Sequence, residues 1–178
     1  MHKLKPYDMI KQTDKLEFDG EMDMRRKDRE ITEFKKIVDI LNACECCRLG
    51  FVDDGEAYIV PMNFGYELIN DNIILYFHCA KEGRKIDLIP KQKAVSFEMD
   101  TKHSLLQGEK GCDYSFLYQC LMGKGNIAIL DNESDKVYGL NKIMQHYTKT
   151  VSWQFDAKIL DILYILKLTV TEWSGKEH

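Results

Sequence analysis

The chain has 178 residues, 44% hydrophobic and 30% charged, with a formal net charge of −4 at pH 7. That length supports one well-buried core and argues against two large ones. The acidic balance and the even scatter of Lys and Arg exclude the basic face of a phosphate-backbone binder, so no nucleic-acid partner is expected. The longest apolar region, 159–170, is interrupted by Asp161 and Lys167. It falls short of the ~20 residues that span a bilayer, so no membrane association is expected. No apolar stretch before a small-residue cleavage site marks an export signal, and the 6 cysteines read as reduced thiols in a cytoplasmic protein.

Residues 1–23 are polar and weakly patterned, and read as an extension ahead of a single domain over 24–178. After the charge run from Met24 to Ile31, Thr32 offers an N-cap to a helix whose apolar positions are Phe34, Ile37, Val38, Leu41 and Cys44. A change of period follows. Residues 46–52, the turn Asp53-Asp54-Gly55 and residues 56–64 make a β-hairpin pattern, because Asp-Gly supplies the positive φ of a tight turn. Asn70-Asp71-Asn72 marks a second turn before a strand over 73–78. Residues 85–89 predict a short helix stopped by Pro90, and 94–99 alternate as a strand. Residues 101–112 read as a polar connection. Residues 114–130 are β-rich, with Gly123 and Gly125 as bulge or close-approach points. A helix over 135–147, a short helix over 157–162 and a strand over 164–173 complete the chain. Runs of strands with hairpin turns predict an α+β fold that is mainly β: an antiparallel sheet closed into a small barrel, with peripheral helices.

Two segments carry chemistry. Phe77-His78-Cys79 ends a strand, and the turn that follows holds Gly83, Arg84 and Lys85. Arg84 offers a planar fork to phosphate oxygens, Lys85 adds a point charge, and the bare backbone at Gly83 permits close approach. The same residues also suit a solvated helix start. Val60-Pro61-Met62-Asn63 reads as a strand, yet it contains a proline and is followed by Gly65, so its backbone is either a bulged edge or is offered to a flat heteroaromatic ring. Cys44, Cys46 and Cys47 lack a Cys-x-x-Cys pair, and His2, His103, His146 and His178 form no ligand set, so no metal is expected. Asp53, Asp54 and Glu56 fit a solvated hairpin tip.

Met24-Arg-Arg-Lys-Asp-Arg-Glu-Ile31, the run from Cys47 through Val-Pro-Met-Asn-Phe-Gly to Tyr66, and Leu75-Tyr-Phe-His-Cys-Ala-Lys-Glu-Gly-Arg-Lys85 together resemble the Nim-type 5-nitroimidazole resistance proteins. These belong to the pyridoxamine 5′-phosphate oxidase-related flavoproteins. The resemblance runs from about residue 24 through Glu172-Trp-Ser-Gly-Lys176. It implies an FMN-binding split β-barrel homodimer with the cofactor in a cleft between protomers. By position, Val60, Pro61, Met62 and Asn63 would line the flavin ring, and Phe77, His78 and Cys79 would lie beside it. Gly83, Arg84 and Lys85 would take the phosphate, and Gln119, after Tyr118, would approach the cofactor. Cys79 stands where Ser or Thr is more usual. The implied activity is an FMN-dependent oxidoreductase reducing nitroimidazoles or similar small electrophiles, with His78 as the candidate proton donor. A non-catalytic flavin- or haem-binding protein and a pyridoxamine 5′-phosphate oxidase-like enzyme are the alternatives.

Overall fold

The structure, a computed structural model, describes residues 25–92, 94–148 and 150–178. The expected extension over 1–23 lies outside the described residues. The helix α1 spans Phe34–Ala43 and is capped at Glu33 without a side-chain hydrogen bond, so Thr32 is one residue too early to cap it. Its buried face is Ile37, Ile40 and Leu41, and Cys44 is buried just beyond it.

The eight strands are β1 Glu30–Ile31, β2 Cys47–Asp53, β3 Glu56–Met62, β4 Gly65–Ile69, β5 Asn72–Ala80, β6 Val95–Leu106, β7 Ser115–Leu130 and β8 Leu163–Glu177. The turn between β2 and β3 contracts to Asp54 (φ 50°) and Gly55 (φ 85°), and that between β4 and β5 to Asn70 (φ 49°) and Asp71 (φ 65°). Both are the left-handed pairs that match strand twist. The residues expected to be a polar connection instead continue β6 to Leu106. A register shift between Thr101 and Ser104 puts Lys102 at φ 55°, and beyond it Leu105 pairs with Phe116 of β7. Cross-strand pairing thus overrides the local polarity. At Gly125 β7 shifts register against β8, and a side chain there would collide with the Thr169 carbonyl.

All pairings are antiparallel, in the order β3-β2-β6-β7-β8-β5-β4 with β1 on β8. The sheet is therefore open: β3 and β4 are its two ends, and no ladder joins them among the described residues. Yet only Asn63 and Phe64 separate these end strands in sequence. Three peptide steps reach no more than about 11 Å, so the sheet must curl until its ends meet at this link. The inner face becomes one core, in which Leu49, Phe51, Phe77, Met99 and Leu121 pack with Ile37 and Ile40 of α1. Each fully buried aliphatic or Phe side chain contributes about 1.5–3 kcal/mol.

Against the outer face lies α3 (Glu133–Tyr147), capped by Asn132, whose side chain accepts from the Asp135 amide. It packs Leu140 and Ile143 on Ile74, Tyr76 and Ile165, with Leu160 of α4 (Ala157–Asp161) closing the cluster. Beside it, Glu67 of β4 accepts from the Tyr76 hydroxyl at 2.6 Å and from the Tyr138 hydroxyl, and pairs with Lys142 at 3.2 Å. Burial pushes the Glu67 carboxyl upward, but these donors outweigh it and hold its pKa below the ordinary value. Any Cβ at Gly65 would collide with the Lys142 backbone. Gly65→Ala should therefore lower unfolding free energy by about 2 kcal/mol or more, measured by urea denaturation. Gly111→Ala, at a position open to solvent, should stay within about 0.5 kcal/mol of wild type.

Candidate functional site

The site is framed by the two strand edges that leave the Asn63–Phe64 link. β3 is paired only with β2, so its other edge is open along Tyr58–Met62. β5 is paired with β8 as far as Ala80, but with β4 only as far as Tyr76, opposite Gly65. The β4-side edge of Phe77–Ala80 therefore has no ladder partner. Two unpaired edges thus diverge from one point, which is the split in the barrel.

Beyond β5 the chain turns through Gly83, whose φ of 125° and ψ of 164° only glycine adopts readily, into α2 (Arg84–Leu88). Pro90 sits in a 3-10 turn, Ile89–Lys91, that prolongs this segment rather than stopping it. Arg84 is held from two sides. Its Nε donates to Asp53, and its guanidinium carbon lies 4.6 Å from the centroid of the Tyr58 ring. The hydrogen bond to Asp53 raises its pKa further above the ordinary value. With Nε committed, the other edge of the guanidinium fork is the one left for an anion. Lys85 is close enough to Cys79 to draw its thiol pKa down, although burial prevails and the net shift is upward. Cys79 is accordingly a neutral thiol facing the core.

Strand alternation separates the neighbours on β5. Phe77 and Cys79 point inward, whereas His78 is exposed on the outer face with Tyr76. On β3, Val60 and Met62 pack toward the core, and Pro61 is exposed. Asn63 and Phe64 are tied to Tyr147 at the end of α3. Its hydroxyl accepts from the Phe64 amide at 3.0 Å and from Asn63 Nδ2 at 3.3 Å, and donates to the Glu45 carbonyl at 2.8 Å. Next to it the His146 ring stands 4.4 Å from that of Phe64, and its Nε2 bonds the Cys44 carbonyl at 2.8 Å.

Gln119 lies away from Arg84. It lines a cavity of 470 Å³ with Arg29, Lys102, Tyr118, Glu177 and His178. Its Nε2 donates to Glu177 at 2.8 Å, and its Oε1 is buried with no partner. Arg48, paired with Asp100, marks this end of the barrel, and Asp53, paired with Arg84, marks the other. Five residue steps along β2 lie between them, about 17 Å. Gly83, Arg84 and Lys85 lie at the Asp53 end of the split, and Val60, Pro61, Met62 and Asn63 run along β3 to its other end, where Pro61 is opposite Arg48 and where Gln119 also lies. Asp53 and Tyr58, which hold Arg84, and Tyr147, which holds Asn63, are not singled out by sequence patterns. Asp53 reads as a turn residue and Tyr147 as one face of a helix.

An antiparallel barrel split between its end strands, with cations at the mouth of the split, defines a structural class. The pyridoxamine 5′-phosphate oxidase family model matches residues 33–177, and the chain belongs to that family. The chain is similar to the crystal structure of a candidate 5-nitroimidazole antibiotic resistance protein from Bacteroides thetaiotaomicron. The identity is 30% over 83% of this chain and 86% of that one, with a TM-score of 0.72. The flavocytochrome Anf3 from Azotobacter vinelandii shares the fold at 16% identity, 88% and 72% coverage and a TM-score of 0.73. The FAD and haem binding protein from Mycobacterium smegmatis does so at 16% identity, 84% and 73% coverage and a TM-score of 0.70. No curated protein matches the sequence. Among the described residues no helix is long and apolar enough to cross a membrane, and no group of at least 3 His, Cys, Asp or Glu side chains is placed to hold a metal ion.

Burial lowers the pKa of His146 below its ordinary 6.5, against the smaller opposing pull of the Cys44 carbonyl. As pH falls below about 6.5, the unfolded chain takes up a proton on this residue before the folded one does, so folding stability declines. Denaturation at about pH 7 and about pH 5.5 should show wild type losing stability relative to His146→Gln as the pH is lowered.

Proposed function

We propose that the protein is a flavoprotein oxidoreductase that binds FMN in the split and reduces nitroimidazoles or similar small electrophiles. The observation that carries this is the pair of unpaired strand edges opening toward Arg84 and Lys85. A flat ring with hydrogen-bonding groups on its rim suits the edges, and a phosphate suits the two cations. Bound there, flavin supplies the electron transfer that no side chain of this chain can perform, drawing on an external reductant.

The residues have separate tasks. Arg84, braced by Asp53 and Tyr58, presents its guanidinium fork to the phosphate, and Lys85 adds charge. Val60, Pro61, Met62 and Asn63 give one wall, and Phe77–Cys79 the other. His78, exposed at the end of β5, is the group on hand to give a proton to the reduced substrate. Gln119 belongs to this site if a second copy supplies it. Its buried, unpartnered Oε1 is an acceptor that a ligand N–H would satisfy, and a homodimer with flavin at the interface would let a second copy offer it to the split. The 30% identical Bacteroides protein is the support for a nitroimidazole substrate.

Purified protein given FMN should show flavin absorption bands and no Soret band; a Soret band would favour haem instead. Arg84→Ala should weaken FMN binding about 10- to 100-fold in a fluorescence titration, because a bidentate charge-assisted contact is lost. Equal affinity would remove Arg84 from the phosphate site. Co-expressed Arg84→Ala and Gln119→Ala chains should retain more flavin than either variant alone if two copies build each site. Reduced protein should be reoxidised by a nitroimidazole without oxygen; failure to do so would leave a flavin binder rather than a nitroreductase.

A further inference from the structure

The polar partners at the Asn63–Phe64 link determine how the Asn63 carboxamide is turned. The Glu45 carbonyl can only accept, and it takes the Tyr147 hydroxyl proton at 2.8 Å. The Tyr147 oxygen is thereby left as an acceptor, which the Phe64 amide and Asn63 Nδ2 use at 3.0 and 3.3 Å. Asn63 Nδ2 also faces the Glu45 carbonyl at 3.5 Å. Both groups facing the carboxamide at this end accept hydrogen bonds, so its amino end must face them. Its Oδ1 has no protein partner among the described residues.

We propose that Tyr147 is a positioning residue for the flavin site, one that holds Asn63 so that its carbonyl oxygen, not its amino group, is offered to the N–H on the rim of the ring. This inference rests on the flavin-binding function proposed above. A ring edge with N–H flanked by carbonyls distinguishes the two ends of a carboxamide: the carbonyl makes a hydrogen bond with the N–H, and the amino group opposes it. Tyr147 is 40% exposed, and its hydroxyl makes three contacts at the link. Without the hydroxyl, the carboxamide is held only by the Glu45 carbonyl at 3.5 Å and the Phe64 amide loses its acceptor.

FMN titrations of wild type, Tyr147→Phe, Asn63→Ala and the double variant test this, with the flavin absorption spectrum recorded for each. Tyr138→Phe serves as control, because it removes a hydroxyl from the same helix that bonds Glu67 instead of the link. Tyr147→Phe should raise the Kd about fivefold to tenfold and shift the flavin bands. The double variant should bind no more weakly than the weaker single variant, since Tyr147 acts through Asn63. Tyr138→Phe should lower stability while leaving Kd and spectrum unchanged. Wild-type affinity and spectrum in Tyr147→Phe, fully additive losses in the double variant, or an equal Kd change in Tyr138→Phe would each overturn the proposal. Failure of the wild type to take up FMN would overturn the flavin assignment itself, and would be seen before any variant is compared.

Discussion

The short covalent link between β3 and β4 constrains everything around it. These strands are the two ends of one sheet, and Asn63 and Phe64 are all that separates them. The sheet must therefore bend until its ends come together, but it need not bond there. Covalent closure at one corner with no ladder along the seam leaves two backbone edges facing an opening. Edge strands are normally protected from other chains by charge, proline or a covering element. Here Pro61 lies on one edge, and Arg84 spans the mouth from Asp53 and Tyr58.

Polar contacts around the link pin it from three directions. Phe64 is fully buried and sits against His146, the Tyr147 hydroxyl satisfies the Phe64 amide, and Gly65 lets α3 approach β4 without a side chain between them. The Glu67 cluster then fastens the same helix to β4 and β5. An unpartnered buried donor typically costs about 1–3 kcal/mol, so Tyr147 is energetically as well as geometrically tied to the junction. Fold and site therefore depend on the same few residues, and the end of α3 is part of the site's frame although it contributes no charge to the mouth.

Short-range patterns carried most of the fold. Both hairpin turns were legible because Asp-Gly and Asn-Asp adopt positive φ, and α1 was legible because Ile37 and Leu41 repeat at helical spacing. The extension of β6 through Leu106 was hidden, since Lys102, His103 and Ser104 are polar and only pairing with β7 makes them a strand. The split itself has no local signature: it follows from which strands end the sheet, and that depends on pairings far apart in sequence. Arg84 and Lys85 stood out by residue type, whereas Asp53 and Tyr147 did not, because they act through contacts 31 and 83 positions away. Family resemblance supplied what periodicity could not, namely the expectation that Pro61-Met62-Asn63 and Arg84-Lys85 serve one site.

Backbone hydrogen exchange followed by mass spectrometry, with and without FMN, tests the central claim that a flavin occupies the split. Saturating FMN should slow exchange at residues 58–63 and 77–85, where the edges have no ladder partner, and at 117–120 if a second copy completes the site. Bound FMN with unchanged exchange along both edges, and protection confined to another surface, would contradict it.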